Sequence, residues 1–257
     1  MSSKGHTVER RGPILTVRLT REHRANSLDP AACEALAETF DDFEQDDGLV
    51  VAIVTGAGAR FFCAGLDLNF VVPGKRVTPP PSGFAGLTAR RLNKPVIAAV
   101  NGAALGGGFE LALACDMIIA DAHASFGLPE PRVGQAALAG GLIRLPMAIG
   151  QKRAMDLILT GRAIDAQTAL AWGLANEVTP QGTCFERAFE VASIISESAP
   201  LALQASKAVA RTHERTAHLQ EIAAKPPAIV EQMLDSEDAR EGAAAFLEKR
   251  TPVWRGH

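Results

Sequence analysis

The sequence of 257 residues contains no tyrosine, so no phenol is available as an acid, a base or a hydrogen-bond donor. Its four cysteines lie far apart and form no Cys-x-x-Cys pair, which indicates reduced thiols rather than a disulfide framework. The longest apolar runs are far too short to span a bilayer, and residues 1–12 lack the apolar segment of a signal peptide. These absences predict a cytoplasmic protein with no membrane partner.

An excess of charge of either sign is also missing. The formal net charge is −3, so the composition implies no general attraction to nucleic acid or to an anionic membrane. Apolar residues, in contrast, make up 47% of the chain, which is enough for a sizeable core. A chain of this length forms one large domain, or one domain with a helical appendage.

Strand-like and helix-like segments alternate over the first half of the chain, and helical spacing dominates the rest. Residues 14–19 alternate apolar and polar side chains, as a half-buried strand does. Asp29 followed by Pro30 is typical of a helix start. Further strands are predicted over 49–54, 95–100 and 117–120, and helices over 31–43, 84–92 and most of the chain after 142. This order predicts an α/β core followed by a C-terminal helical region.

A glycine-rich turn stands between a predicted strand and a predicted helix. It reads Asn101-Gly102-Ala103-Ala104-Leu105-Gly106-Gly107-Gly108-Phe109-Glu110. The first turn of a helix has backbone N–H groups without partners and carries partial positive charge, and glycines let a ligand approach them. Glu110 lies inside this turn, and Glu130 follows downstream between two prolines. The combination predicts an oxyanion site with two candidate acid/base groups.

Other ligand motifs are incomplete. Gly56-x-Gly58 follows a strand, but Phe61 stands where a dinucleotide-binding turn needs glycine. His213 and His218 are too far apart along a helix to share a face, so we expect no metal site. The segment 64–67, in contrast, offers a second backbone turn after a strand, close in character to the glycine-rich one.

A series of short motifs runs in order along nearly the whole chain. It comprises Ala25-Asn26-Ser27-Leu28, Phe61-Phe62-Cys63-Ala64-Gly65-Leu66-Asp67, the segment from Lys94-Pro95 to Cys115-Asp116, Phe126-Gly127-Leu128-Pro129-Glu130, Leu159-Thr160-Gly161, Ala171-Trp172-Gly173-Leu174-Ala175-Asn176-Glu177-Val178 and Phe246-Leu247-Glu248-Lys249-Arg250. With these motifs the chain resembles the enoyl-CoA hydratase/isomerase (crotonase) superfamily. The resemblance is specific to the superfamily and much less so to one reaction.

The resemblance implies a crotonase-like core of repeated β-β-α units over residues 1–195. It implies a helical region over 196–257 that mediates assembly into a homotrimer or a dimer of trimers. The substrate would be an acyl-CoA thioester, with no cofactor beyond the CoA that the substrate carries. Its thioester oxygen would lie between the backbone N–H groups of Leu66 and Gly107. The residues implied to contact the CoA portion are Arg24, Ala25, Ala64, Leu66, Asp67, Leu68, Phe246 and Lys249.

In the hydratases of the superfamily, Glu110 and Glu130 both have matching glutamates. This implies a lyase that adds water reversibly across the C2=C3 bond of a 2-enoyl-CoA. We assign Glu110 as the base toward water, because a helix start favours its charged form. Glu130 is flanked by prolines and apolar residues, so burial favours its neutral form and makes it the proton donor at C2.

Two departures leave the reaction open. Leu138 stands where hydratases have a glycine whose backbone helps to hold the water, although its own N–H persists. A drier pocket suits a Δ3-Δ2 enoyl-CoA isomerase, which works with Glu130 alone as proton shuttle. Pro131-Arg132 replaces the usual aliphatic pair and resembles a subgroup that includes carnitinyl-CoA dehydratase-like proteins. Hydration is the main interpretation, and the other two reactions are the alternatives.

Composition argues against two further functions known in the superfamily. A relative that binds RNA without catalysis needs a basic first helix, whereas residues 34–47 contain seven acidic side chains. Variants assisted by tyrosine are excluded because the chain has none. Acyl chain length, the direction of the reaction and the choice between trimer and hexamer do not follow from the sequence.

Overall fold

A computed structural model describes residues 5–70, 80–210 and 235–253 of the chain. The strands in this part are β1 (His6–Arg11), β2 (Ile14–Leu19), β3 (Val51–Gly56), β4 (Phe61–Cys63), β5 (Val96–Val100), β6 (Ala103–Leu105), β7 (Met117–Asp121), β8 (Ser125–Gly127), β9 (Ala163–Asp165) and β10 (Glu177–Thr179). The helices are α1 (Pro30–Gln45), α2 (Gly107–Ala114), α3 (Gly141–Ile149), α4 (Gln151–Thr160), α5 (Ala166–Ala171), α6 (Cys184–Ser196), α7 (Pro200–Ala210) and α8 (Glu237–Glu248). The strands form two sheets, which confirms the predicted α/β class.

The larger sheet has six strands in the order β1-β2-β3-β5-β7-β10, parallel except for the β1–β2 hairpin. One face, with Ile53, Ile97 and Ile119, packs against α6, and the other face joins the main core. Because both faces are covered, β3 and β5 are apolar almost throughout. The alternation in β2 predicts a half-buried strand, but every residue of β2 except Arg18 is buried. The ring of Phe185 in α6 covers that side chain, with the guanidinium carbon 5.0 Å from its centre.

The smaller sheet determines where the candidate site lies. Strands β4, β6 and β8 pair side by side in parallel, and β9 joins β8 antiparallel. The carboxyl ends of parallel strands meet at one edge of a sheet, and ligands of α/β sheets bind outside that edge. Here the three ends lead into residues 64–67, 106–107 and 128–130. Segments that are distant in sequence are thereby brought to one place.

Helix α1 begins where the sequence predicts. Asp29 has an extended backbone, and its carboxylate accepts a hydrogen bond of 2.8 Å from the N–H of Ala32. Pro30 occupies the first helical position, where no intrahelical donor is needed. The strands predicted over 49–54, 95–100 and 117–120 are also confirmed, as β3, β5 and β7 with slightly shifted ends.

The prediction of a helix over residues 84–92 is wrong. The chain forms only a short 3-10 turn there, Phe84–Gly86, in which Ala85 has φ 54°. A Cβ on Gly86 would lie 2.4 Å from the backbone N of Ala37 in α1. The apolar residues of this segment therefore pack an irregular turn against α1, and their spacing does not reflect a helix.

Helices α7 and α8 belong to the C-terminal region predicted over 196–257, of which 211–234 and 254–257 lie outside the described residues. Helix α8 packs on the turn that carries Glu130, since a Cβ on Gly242 would lie 2.4 Å from the carbonyl carbon of Val133. It also contacts the turn Leu68–Phe70. The division after residue 195 and the trimer stay predictions.

Asn101 ties the end of β3 to the loop that follows, and its removal should destabilise the fold. Its Oδ1 accepts from the N–H of Gly56 at 2.9 Å, and its Nδ2 donates to the carbonyl of Gly58 at 2.7 Å. We expect Asn101→Ala to lower the free energy of unfolding by about 2–4 kcal/mol, because two backbone groups lose their partner. Chemical denaturation measures this. Asn93→Ala removes an exposed amide and should change the value by less than about 1 kcal/mol; equal losses in both variants would contradict the assignment.

Candidate active site

Glu110 lies in the first turn of α2, directly beyond the end of β6. Gly106 begins this turn with φ 54°, and its N–H donates to the carbonyl of Gly127 in β8 at 3.0 Å. Glu110 is only 3% exposed, and its Oε1 accepts a hydrogen bond of 2.8 Å from the N–H of Gly141. A Cβ on Gly141 would lie 2.9 Å from Cγ of Glu110, so the site needs glycine there. Sequence reasoning missed Gly141, although two adjacent glycines before an apolar run were a usable signal.

Leu66 and Gly107, the predicted oxyanion donors, lie on two neighbouring turns. Gly65 has φ 89°, and a Cβ on it would lie 2.8 Å from the backbone N of Gly107. Within the described residues, no hydrogen bond uses the N–H of Leu66 or of Gly107 as donor. Two backbone donors near the start of a helix, without acceptors of their own, can stabilise an oxyanion.

Glu130 begins the turn after β8 and faces the same glycines. A Cβ on Gly106 would lie 3.1 Å from Oε1 of Glu130. Its Oε2 is buried, and no group in the described part of the chain hydrogen-bonds to it. The two carboxyl groups that the sequence singled out as acid and base therefore both border the glycine-rich turn.

Burial raises the pKa of both carboxyl groups. The pKa of Glu110 rises to about 8, through burial and the nearby charge of Glu130, although the N–H groups of Gly141 and Ala139 and the charge of Arg144 act to lower it. Burial raises the pKa of Glu130 to about 7. The expectation that a helix start keeps Glu110 charged is therefore wrong for this site, because burial outweighs the helix dipole.

Leu138 is less of an obstacle than its place in the sequence suggests. Its side chain is 42% exposed, so it does not fill the buried space around Glu110. Its N–H donates to the carbonyl of Ala136 at 2.9 Å and is not available to hold a water. The backbone donors that act on Glu110 come from Ala139 and Gly141 instead.

Two of the segments implied to bind the CoA portion are brought together. The N–H of Ala64 donates to the carbonyl of Ala25 at 3.0 Å, so the exposed turn that carries Arg24 lies beside residues 64–68. Ala25 itself has φ 53°, a left-handed conformation that ends the short 3-10 turn Glu22–Arg24. These contacts agree with a shared surface for one ligand.

Asp67 and the end of α8 fit that surface differently. Asp67 is 4% exposed, and its carboxylate pairs with the guanidinium of Arg21 at 2.8 Å, so it is engaged inside the protein. Phe246 is 56% exposed near the end of α8, and Lys249 caps that helix with φ 55°. Leu68 lies in the turn that α8 contacts. The structure thus brings α8 to the turn that begins at Leu68, whereas the carboxylate of Asp67 is engaged inside the protein.

Arg132 holds the Glu130 turn against α4. Its Nε and Nη2 donate to the carbonyl of Thr160, the last residue of α4, at 3.2 and 3.1 Å. A cation at a helix C-terminus is favourable, because the last carbonyl groups lack intrahelical partners. The Pro131-Arg132 pair that departs from the usual sequence therefore has a structural task next to the candidate acid.

The described ranges of the chain contain no group of three or more His, Cys, Asp and Glu side chains able to hold a metal ion. None of their helices is both long enough and apolar enough to cross a membrane.

Comparison with known proteins identifies the family. A profile described as Enoyl-CoA hydratase/isomerase matches residues 9–257. The chain belongs to the enoyl-CoA hydratase/isomerase family. Among curated members of this family, the carnitinyl-CoA dehydratase of Salmonella arizonae is 45% identical, with 99% of this chain and 100% of the relative covered. The carnitinyl-CoA dehydratase of Proteus mirabilis is 44% identical over 96% of each chain.

Solved structures of the enoyl-CoA hydratase/isomerase family agree. The crystal structure of carnitinyl-CoA hydratase from Mycobacterium avium has a TM-score of 0.92 and 40% identity, with both chains fully covered. An enoyl-CoA hydratase from Mycobacterium tuberculosis has a TM-score of 0.76 and 38% identity over 99% of this chain and 100% of its own. The predicted superfamily and crotonase-like fold are confirmed, and the chain is an enzyme of the hydratase and dehydratase type.

Burial of Glu110 should make stability depend on pH. A carboxyl group whose pKa is raised in the folded state takes up protons on folding, so stability is full at low pH and falls as pH rises toward 8. Glu110→Gln keeps an acceptor for the N–H of Gly141 but carries no charge. We expect it to raise Tm by several degrees at pH 9, since one pKa unit is worth about 1.4 kcal/mol, and to change Tm little at pH 5.

Differential scanning calorimetry at the two pH values tests this expectation. Glu186→Gln, which alters an exposed glutamate of α6, is the matched control and should give no gain that depends on pH. A Glu110→Gln variant with the same Tm difference at pH 5 and pH 9 would argue against a buried, proton-retaining carboxyl group.

Proposed function

We propose that the protein interconverts 2-enoyl-CoA and 3-hydroxyacyl-CoA by adding or removing water across C2 and C3. The observation that carries this proposal is the edge of the smaller sheet, where parallel strands end side by side. There the N–H groups of Leu66 and Gly107 and the carboxyl groups of Glu110 and Glu130 are gathered around one glycine-rich turn. Both reactions proceed through an enolate of the thioester, and this arrangement suits it.

The two backbone donors stabilise that enolate. As charge moves from C2 onto the thioester oxygen, hydrogen bonds from Leu66 and Gly107 strengthen, and the start of α2 contributes partial positive charge. Removal of one such donor costs about 3–4 kcal/mol of transition-state stabilisation in other enzymes. Their fixed position means that no reorganisation is needed when the charge develops.

Glu130 handles the proton at C2, and Glu110 handles the oxygen at C3. In hydration Glu110 accepts a proton from water and Glu130 donates one to C2; in dehydration each step is reversed. Burial raises the pKa of both groups to near neutral, so the pair can hold a single proton there. Dehydration begins with that proton on Glu110, and hydration begins with it on Glu130.

We propose a 3-hydroxyacyl-CoA of the carnitinyl type as the substrate. Relatives named carnitinyl-CoA dehydratase are 42–45% identical over nearly the whole chain. The isomerase alternative needs only Glu130, whereas Glu110 is buried here and is held by the N–H of Gly141. Burying a carboxyl group that has no part in the reaction would lower stability without contributing to catalysis. The burial of Glu110 therefore favours the reaction that uses both carboxyl groups.

The remaining assignments complete the proposal. The residues proposed for the CoA portion are Arg24, Ala25, Ala64, Leu66, Asp67, Leu68, Phe246 and Lys249. The carboxylate of Asp67 is paired with Arg21 and its backbone groups bond to Leu28 and Phe70, so we propose that it holds the turn beside the ligand. No cofactor beyond the CoA of the substrate is needed. We propose that residues 196–257 build a cytoplasmic homotrimer or dimer of trimers. Exposed apolar side chains on α7 and α8, among them Leu201 at 78% and Leu247 at 49%, support such contacts.

Substrate tests with solvent label distinguish the reactions. We expect carnitinyl-CoA to be dehydrated, crotonyl-CoA to be hydrated with one deuterium entering at C2 in deuterium oxide, and a 3-enoyl-CoA to be consumed far more slowly. Mass spectrometry and NMR of the products locate the label. Preferred consumption of the 3-enoyl-CoA would refute the proposal in favour of isomerisation.

The two carboxyl groups can be tested by substitution. Glu110→Gln and Glu130→Gln should each lower kcat by about 10²–10⁴, and Glu186→Gln should retain it.

The pH dependence of kcat/KM reports the protonation of Glu110 and Glu130. Dehydration requires Glu130 charged and Glu110 protonated, so kcat/KM should fall below about pH 7 and above about pH 8. The acidic limb arises when both carboxyl groups are protonated, and the basic limb arises when both have lost their protons. Steady-state rates from pH 5 to 10 check this expectation. A flat profile across neutral pH would contradict the assignment.

A further inference from the structure

Phe84 packs directly on a proposed oxyanion donor. A Cβ on Gly107 would lie 3.1 Å from both Cε1 and Cζ of the Phe84 ring. The ring therefore rests against Cα of Gly107, the residue whose N–H has no acceptor in the described chain. Phe84 is 7% exposed, so a buried ring covers this side of the turn.

The backbone around Phe84 is held in an unfavourable conformation. Gly83, Ala85 and Gly86 have φ 83°, 54° and 67°, and Ala85 is fully buried. A left-handed conformation is unfavourable for residues other than glycine, so alanine adopts it only where the surroundings impose it. Strain of this kind concentrates at functional sites.

Helix α1 and Arg90 impose the conformation. The backbone of Gly86 lies against Ala37 of α1, at a distance that leaves no room for a side chain. Arg90 donates from Nε to the carbonyl of Gly86 at 2.9 Å and from Nη2 to the carbonyl of Ala37 at 3.0 Å. The turn is thereby fastened to α1, and the Phe84 ring is fixed on the start of α2.

We infer that Phe84 is a positioning residue, which fixes the N–H of Gly107 and keeps water away from the oxyanion site. This inference rests on the proposed function. A hydrogen bond to a developing charge is worth more where water is excluded, and a hydrocarbon ring cannot compete for the donor. Phe84 carries no proton and acts only through Gly107, so its effect belongs to the transition state more than to substrate binding.

Replacement of Phe84 should lower kcat more than it changes KM. We expect Phe84→Ala to reduce kcat at least about tenfold, with KM within about threefold of its original value, because the interaction strengthens as charge develops. Phe84→Leu, which retains an apolar group of similar reach, should recover most of the loss. Phe43→Leu, at a fully buried phenylalanine of α1, is the matched control for loss of core packing.

A spectroscopic measurement separates positioning from packing. In para-dimethylaminocinnamoyl-CoA, polarisation of the thioester carbonyl moves the absorption band to longer wavelength. We expect the bound compound to show a clear red shift with the unaltered protein and with Phe43→Leu, a small one with Phe84→Ala, and an intermediate one with Phe84→Leu. This shift is read from binding alone and needs no turnover.

The outcomes are distinguishable. A full red shift and unchanged kcat in Phe84→Ala would overturn the inference, as would equal losses of kcat in Phe84→Leu and Phe43→Leu with unchanged shifts. If the unaltered protein shifts the band but neither hydrates nor dehydrates any acyl-CoA, the proposed function fails. The spectral comparison of the Phe84 variants then still decides whether the ring positions the donor.

Discussion

The site depends on close approach of backbone to backbone at the end of the smaller sheet. Gly65 lies against the N of Gly107, and a Cβ on Gly108 would lie 2.0 Å from the carbonyl oxygen of Cys63. No side chain fits at either contact, so space requires glycine at both positions, and the φ of 89° requires it at Gly65 as well. The contacts draw the start of α2 onto the turn after β4, and the geometry of both backbone donors follows from them.

Burial of two acidic groups beside these donors sets the chemistry and opposes the fold. Water that would solvate Glu110 and Glu130 is replaced by the core around α2 and by a few N–H groups, so both groups keep protons at pH values where exposed glutamates have lost them. A pair that shares one proton can act as acid and base together. Apolar packing on both faces of the larger sheet supplies the stability that such a pair removes.

Local rules predicted much of this molecule. Asp29 and Pro30 start α1 through contacts within one turn, and the glycine-rich segment with Glu110 carries its own signature. The helix over 84–92 could not be excluded, because the strained turn around Ala85 is imposed by α1. Likewise, the pairing of Asp67 with Arg21 and the burial that reverses the expected charge of Glu110 depend on distant segments. The short strand β6 was not predicted, because three residues are too few to show a periodic pattern of apolar side chains.

The position of α8 in the sequence affects when the site is completed during synthesis. It lies near the end of the chain, yet its Gly242 rests on the turn that carries Glu130. A nascent chain ending at residue 210 would already contain every strand of both sheets and both carboxyl groups. It would lack the surface that supports the Glu130 turn on one side. Assembly of the acid/base pair therefore finishes after the sheets can form, when α8 has left the ribosome and docked.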